Sequence, residues 1–118
     1  MIGFITSLIY TIFFFFSGML LIFRKVKPNH IYGFRVSKFV FKSDDIWYEV
    51  NTKGGIHSII IGFVLLVITL LALVYINDSM MQVIFLFITL FITILGPIFS
   101  LIITYNLAHR LAKEKGLK

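Results

Sequence analysis

The chain has 118 residues and no cysteine; 59% of its residues are hydrophobic, only 14% are charged, and its formal net charge is +6. A soluble domain of this length cannot bury so much apolar surface, because small domains keep a high surface-to-volume ratio. Without cysteine, disulfides, thiolate chemistry and cysteine-based metal sites are excluded, and a single domain over residues 1–118 is the expectation.

Residues 2–23 carry no charged side chain. A hydrocarbon core about 30 Å thick needs about 20 apolar residues in a helix, so this is a first membrane span. Its start, MIGFITSL, lacks the basic residues of a signal peptide, and the cluster Arg24, Lys25, Lys27 follows the apolar stretch instead of preceding it. That is the pattern of a retained helix. The phenylalanine run at 13–16 is expected to face lipid or a neighbouring helix.

Residues 24–55 are the one substantial polar stretch. Pro28 ends the first helix, Asn29 suits a turn, and Gly33 permits one. Arg35 beside an apolar slab needs an anion, and its planar fork suits a carboxylate or a phosphate. Asp44, Asp45, Glu49 and lipid phosphate are the candidates. Phe39 and Phe41, set among lysines, suit the membrane interface. Ser43 is a candidate N-cap, with Asp44 and Asp45 in the first turn where the helix dipole favours negative charge. Ile46, Trp47 and Val50 share a helical face. Residues 44–52 are therefore expected to form a short amphipathic helix on the cytoplasmic surface, with Trp47 as an interfacial anchor. Gly54 and Gly55 either turn the chain into the next span or lie inside one continuous helix that packs closely on a neighbour. Both alternatives stay open. Asn29, Tyr32, Gly33, Arg35, Trp47 and Asn51 are expected to knit the stretch into a cap over the helix ends.

Residues 56–76 and 80–105 are the second and third spans. No segment shows the alternation of a barrel strand. Ser58 and Gly62 lie four apart, as do Gly96, Ser100 and Thr104. Such small residues let helix backbones approach closely, either within the chain or in a homo-oligomer. Pro97 kinks the third helix, and Thr93 is placed to help satisfy the freed carbonyl. The fold class is thus all-α and integral to the membrane, with three transmembrane helices and a cytoplasmic loop containing a short amphipathic helix.

Seven lysines and arginines lie between the first two spans and four follow the third, while the connection NDS carries only Asp78. The positive-inside rule puts the N-terminus outside and both the long loop and the C-terminus in the cytoplasm. This distribution fits anionic headgroups and argues against nucleic acid. No H-E-x-x-H, G-x-S-x-G or Walker pattern occurs. His30, His57 and His109 are isolated in sequence. No catalytic residue, metal or cofactor is expected. His30 and His109 read as solvated loop residues and His57 as a partner for a loop polar group.

The stretch PNHIYGFR, then SDDIW, Asn51 and Gly55, resembles the SdpI family of bacterial membrane proteins. The matching positions are Pro28, Asn29, Gly33, Phe34, Arg35, Ser43, Asp44, Asp45, Trp47, Asn51 and Gly55, and the segment GPIFSLIITY is similar too. Val36 and Ser37 depart from the Thr-Pro that many members carry. The resemblance implies an immunity protein of the bacterial inner membrane. It would protect its producer from a secreted, membrane-disrupting peptide toxin by binding, with a cytoplasmic repressor as a further partner. A small oligomeric transporter or a lipid-binding membrane protein is the alternative. Few polar residues lie in the spans and none is charged, which argues against an ion-coupled pump.

Overall fold

The computed structural model describes residues 1–23, 41 and 43–116. Three helices follow in order: α1 (Ile2–Ile22), α2 (Asp44–Val74) and α3 (Ser79–Glu114). Each is long and apolar enough to cross a membrane. α2 runs antiparallel to the other two, with Thr69 beside Ser7 and Thr11 at one end of α1 and Gly55 beside Gly18 at the other.

Two helices are longer than the sequence suggests. The second starts at Asp44, not near residue 56, and passes unbroken through Gly54 and Gly55. Residues 44–52 are therefore its first turns and not a separate surface helix. Both glycines are buried, and Gly55 lies where a side chain would strike the α1 backbone. Close packing thus offsets the low helix propensity of glycine. The third helix runs on past residue 105 to Glu114. There Ala108 and Ala112, one turn apart, offer a flat face onto which Ile46, Trp47 and Val50 pack. Ser43 occupies the N-cap of α2, but its side chain makes no capping bond. Asp78 does cap α3, accepting from the Met81 N–H at 3.1 Å.

Lipid tails are as apolar as leucine, so the helices are held by close packing and hydrogen bonds more than by the hydrophobic effect. The buried stripe of α1 is Gly3, Ser7, Thr11, Phe14, Gly18 and Leu21. Thr69 donates to Ser7 Oγ at 2.9 Å or to the Leu65 carbonyl at 2.8 Å, while Thr11 donates to the Ser7 carbonyl at 2.7 Å. Gly62 receives the Phe15 ring, so part of the phenylalanine run faces a helix. Phe13 and Phe16 remain exposed.

Gln82 joins all three helices. Its Oε1 accepts from the Phe4 N–H at 2.9 Å, and its Nε2 donates to the Ala72 and Tyr75 carbonyls at 2.8 and 3.0 Å. Phe4 lies in the first turn of α1, where an N–H has no intrahelical partner, and Ala72 lies in the last turn of α2, where a carbonyl has none. One largely buried amide therefore serves two helix ends.

Candidate functional site

The clefts formed by the described residues include one at the basic end and one at mid-bundle. The first is at the basic end, where α2 and α3 continue beyond α1. Trp47, Ile46 and Val50 are fully buried against Ala108 and Ala112, with Tyr48, Leu107 and Leu111 packed around them. Trp47 is thus a core residue between two helices, not an anchor in the membrane interface. The two alanines leave the space its indole fills. The exposed Phe41 ring lies 5.7 Å from it. Asn51 is buried and donates to the Trp47 carbonyl at 2.9 Å. Lys115 pairs with Asp45 at 3.4 Å across the open end, a surface pair worth little. On the flank of this helix pair is a cleft of about 550 Å³ lined by Glu49, Thr52, Lys53, Ile56, Ile103, Asn106, Leu107 and Arg110.

The second cleft is a groove of about 270 Å³ at mid-bundle, where all three helices contribute: Phe13, Phe14 and Ser17 from α1, Ser58 and Ile61 from α2, and Thr93, Pro97 and Ser100 from α3. Pro97 has no N–H, so the Thr93 carbonyl loses its helical donor. The Thr93 hydroxyl does not compensate; it is buried with no hydrogen-bond partner. At one end of the groove His57 Nδ1 and Ser100 Oγ lie 2.7 Å apart. The partner of His57 is thus a serine on α3, not a loop group. His109 lies on α3, not on a loop, with its ring 4.3 Å from that of Tyr105.

Of the residues expected to form a cap, Trp47 and Asn51 are placed together here. Asn29, Tyr32, Gly33 and Arg35 lie outside the described residues, as does His30. The small residues of the later spans are used within the chain. Gly96 lies against Ile61, Ser58 and Ser100 are buried, and Thr104 is buried with its hydroxyl donating to the Ser100 carbonyl at 2.8 Å or to that of Leu101. Gly3, Ser7, Thr11, Gly18 and Gln82 were not among the expected packing residues. The spacing of four from Gly3 to Ser7 to Thr11 carries that signal, and so does a lone glutamine inside an apolar span. Among the described residues no three histidine or carboxylate side chains come together as a metal site.

Three long apolar helices, hydroxyl-rich seams and a polar extension at one end define a small multi-pass helical membrane protein. The SdpI/YfhL protein family matches residues 25–101, and the chain belongs to that family. Membership suggests an immunity-type membrane protein. Comparisons with curated proteins and with solved structures give no match. The matched segment includes α2 and most of the apolar part of α3. The α1 side of the groove and the Ile103–Arg110 side of the basic cleft lie outside it.

Proposed function

We propose that the chain is an immunity protein of a bacterial inner membrane, protecting its producer from a secreted, membrane-active peptide by binding and not by catalysis. Besides family membership, the observation that carries this reading is the mid-bundle groove. A peptide in hydrocarbon must satisfy its polar backbone, because an unpaired group there costs several kcal/mol. The groove offers aromatic rings from Phe13 and Phe14 beside the turn from Thr93 to Pro97, where a carbonyl is deprived of its donor. Its volume suits a side chain and a stretch of backbone from the peptide, not a whole helix. In the proposed orientation the N-terminus is outside, and the α2–α3 extension lies in the cytoplasm, where a repressor would meet it.

The test is survival of a sensitive bacterium expressing the chain, challenged with a panel of membrane-active peptides. Protection against at least one of them is expected. Thr93→Leu, which fills the groove, should abolish it at matched membrane expression, whereas Lys113→Ala should not. Equal killing with and without the protein across the panel would reject the immunity reading. Full protection by Thr93→Leu would reject the groove.

A further inference from the structure

The cleft at the basic end has a chemistry that the immunity reading does not use. Along α2 its lining passes from Ile56 to Lys53 and Thr52 and then Glu49; along α3 it passes from Ile103 to Asn106 and Leu107 and then Arg110. Each step is about one helical turn, so on both walls the surface changes from apolar to polar and charged in the same direction. Ile56 and Ile103 are exposed on the apolar part of the bundle. Gly55, next to Ile56, packs on Gly18, Leu21 and Ile22 in the last turns of α1. The end of the first span and this change of polarity therefore coincide.

We propose that this cleft is a phospholipid site, in which Lys53 and Arg110 hold the lipid phosphate and one acyl chain lies along Ile56 and Ile103. The charge suits the ligand: Lys53 and Arg110 place two cations on the cleft walls, facing a singly negative phosphodiester. Neither Lys53 nor Arg110 is in an ion pair with a described residue, whereas Lys115 nearby is paired with Asp45. Thr52 lies on the same wall, with its hydroxyl buried and without a partner. The guanidinium of Arg110 presents a fork suited to two phosphate oxygens, while Lys53 acts as a point charge. Asn106 is left to meet a hydroxyl of the headgroup. A cation that merely snorkels to the interface needs no walls; here the cations flank a cleft of about 550 Å³.

The experiment measures bound lipid on the full chain. The protein is reconstituted in phosphatidylcholine bilayers doped with phosphatidylglycerol and moved to mild detergent, and retained lipid is read by native mass spectrometry. Preferential retention of phosphatidylglycerol is expected. Lys53→Gln and Arg110→Gln should each lower it about fivefold, the effect of removing one cation near a charged membrane surface. Ile103→Trp, which fills the cleft without altering charge, should lower it too, while Lys113→Gln should leave it unchanged. Excess inorganic phosphate should not displace the lipid. Equal retention of the two lipids, or unchanged retention when Lys53 and Arg110 are both replaced, would overturn the site. Displacement by inorganic phosphate would show a free-anion site and overturn its lipid character. If Arg110→Gln loses its helical content, Lys53→Gln and Ile103→Trp decide. Because the readout is lipid and not survival, the immunity reading can fail without affecting this one.

Discussion

Gly18 on α1 and Gly55 on α2 occupy each other's side-chain space. A Cβ on Gly18 would lie 2.7 Å from the Gly55 carbonyl oxygen, and a Cβ on Gly55 would lie 2.8 Å from the Gly18 carbonyl oxygen. Both obstacles are backbone, so neither can rotate away. Gly18→Ala or Gly55→Ala must push the helices apart, at a cost of about 1–3 kcal/mol. Gly96 is a control with similar spacing but softer surroundings, because its Cβ would meet the Cδ1 of Ile61, the tip of a flexible side chain, at 2.8 Å. Gly96→Ala should cost less than about 1 kcal/mol, and its better helix propensity offsets part of that. Unfolding by SDS in mixed micelles checks the order.

Gln82 should be the most sensitive polar position in the bundle. Gln82→Leu leaves the partly buried Phe4 N–H and the buried Ala72 carbonyl without their side-chain partner. At about 1–3 kcal/mol for each stranded group, the loss is about 2–6 kcal/mol. Amide exchange at Phe4 should accelerate along with the loss of overall stability. If Gln82→Leu unfolds like the wild type, the amide is not the joint between these helix ends.

The spans themselves are legible in the sequence because a bilayer imposes a length, and hydropathy reads length directly. The path of residues 44–55 is not. Whether Gly54 and Gly55 bend or continue a helix depends on whether another backbone comes close enough to hold them, and that backbone is Gly18, more than thirty residues earlier. The amphipathic face of Ile46, Trp47 and Val50 is legible, but what covers it is not. Interface lipid and the Ala108–Ala112 face ask for the same pattern, and only the run of α3 to Glu114 separates them. The mid-bundle groove is half legible: Pro97 and Thr93 stand out, but the α1 contribution needs the register of three helices.

The topology prediction can be tested with single cysteines, since the chain has none of its own. Asn77 is exposed in the turn between α2 and α3, and Lys113 is exposed near the end of α3. With the N-terminus outside, Asn77→Cys should react with an impermeant maleimide on intact cells, and Lys113→Cys should react only after permeabilisation. Asn77 is the better probe than Asp78, whose side chain caps α3. The opposite labelling would invert the bundle and move the basic cleft outside.

Arg35 lies outside the described residues, and its role is predicted from chemistry alone. Next to the membrane it must find an anion, and a planar fork holds a carboxylate or phosphate in a way that an ammonium does not. Arg35→Lys and Arg35→Ala should both lose toxin protection, while Lys38→Ala and Lys42→Ala keep it. Survival at matched membrane expression is the assay. Equal tolerance at all three positions would make the stretch an ordinary linker.

Trp47 is the one tryptophan of the chain, so its fluorescence reports its surroundings without ambiguity. An interfacial anchor would be quenched by brominated acyl chains, and a solvated ring by iodide. Fully buried between α2 and α3 against Ala108 and Ala112, the indole should be shielded from both. Ala108→Leu adds volume where the ring sits and should force it outward, so that quenching by lipid or iodide appears. Trp47→Ala should cost about 3–5 kcal/mol through the cavity it leaves and loosen the extension, with faster amide exchange at residues 106–114. Strong quenching of the native protein by brominated lipid would return Trp47 to the interface and remove the contact that extends α3.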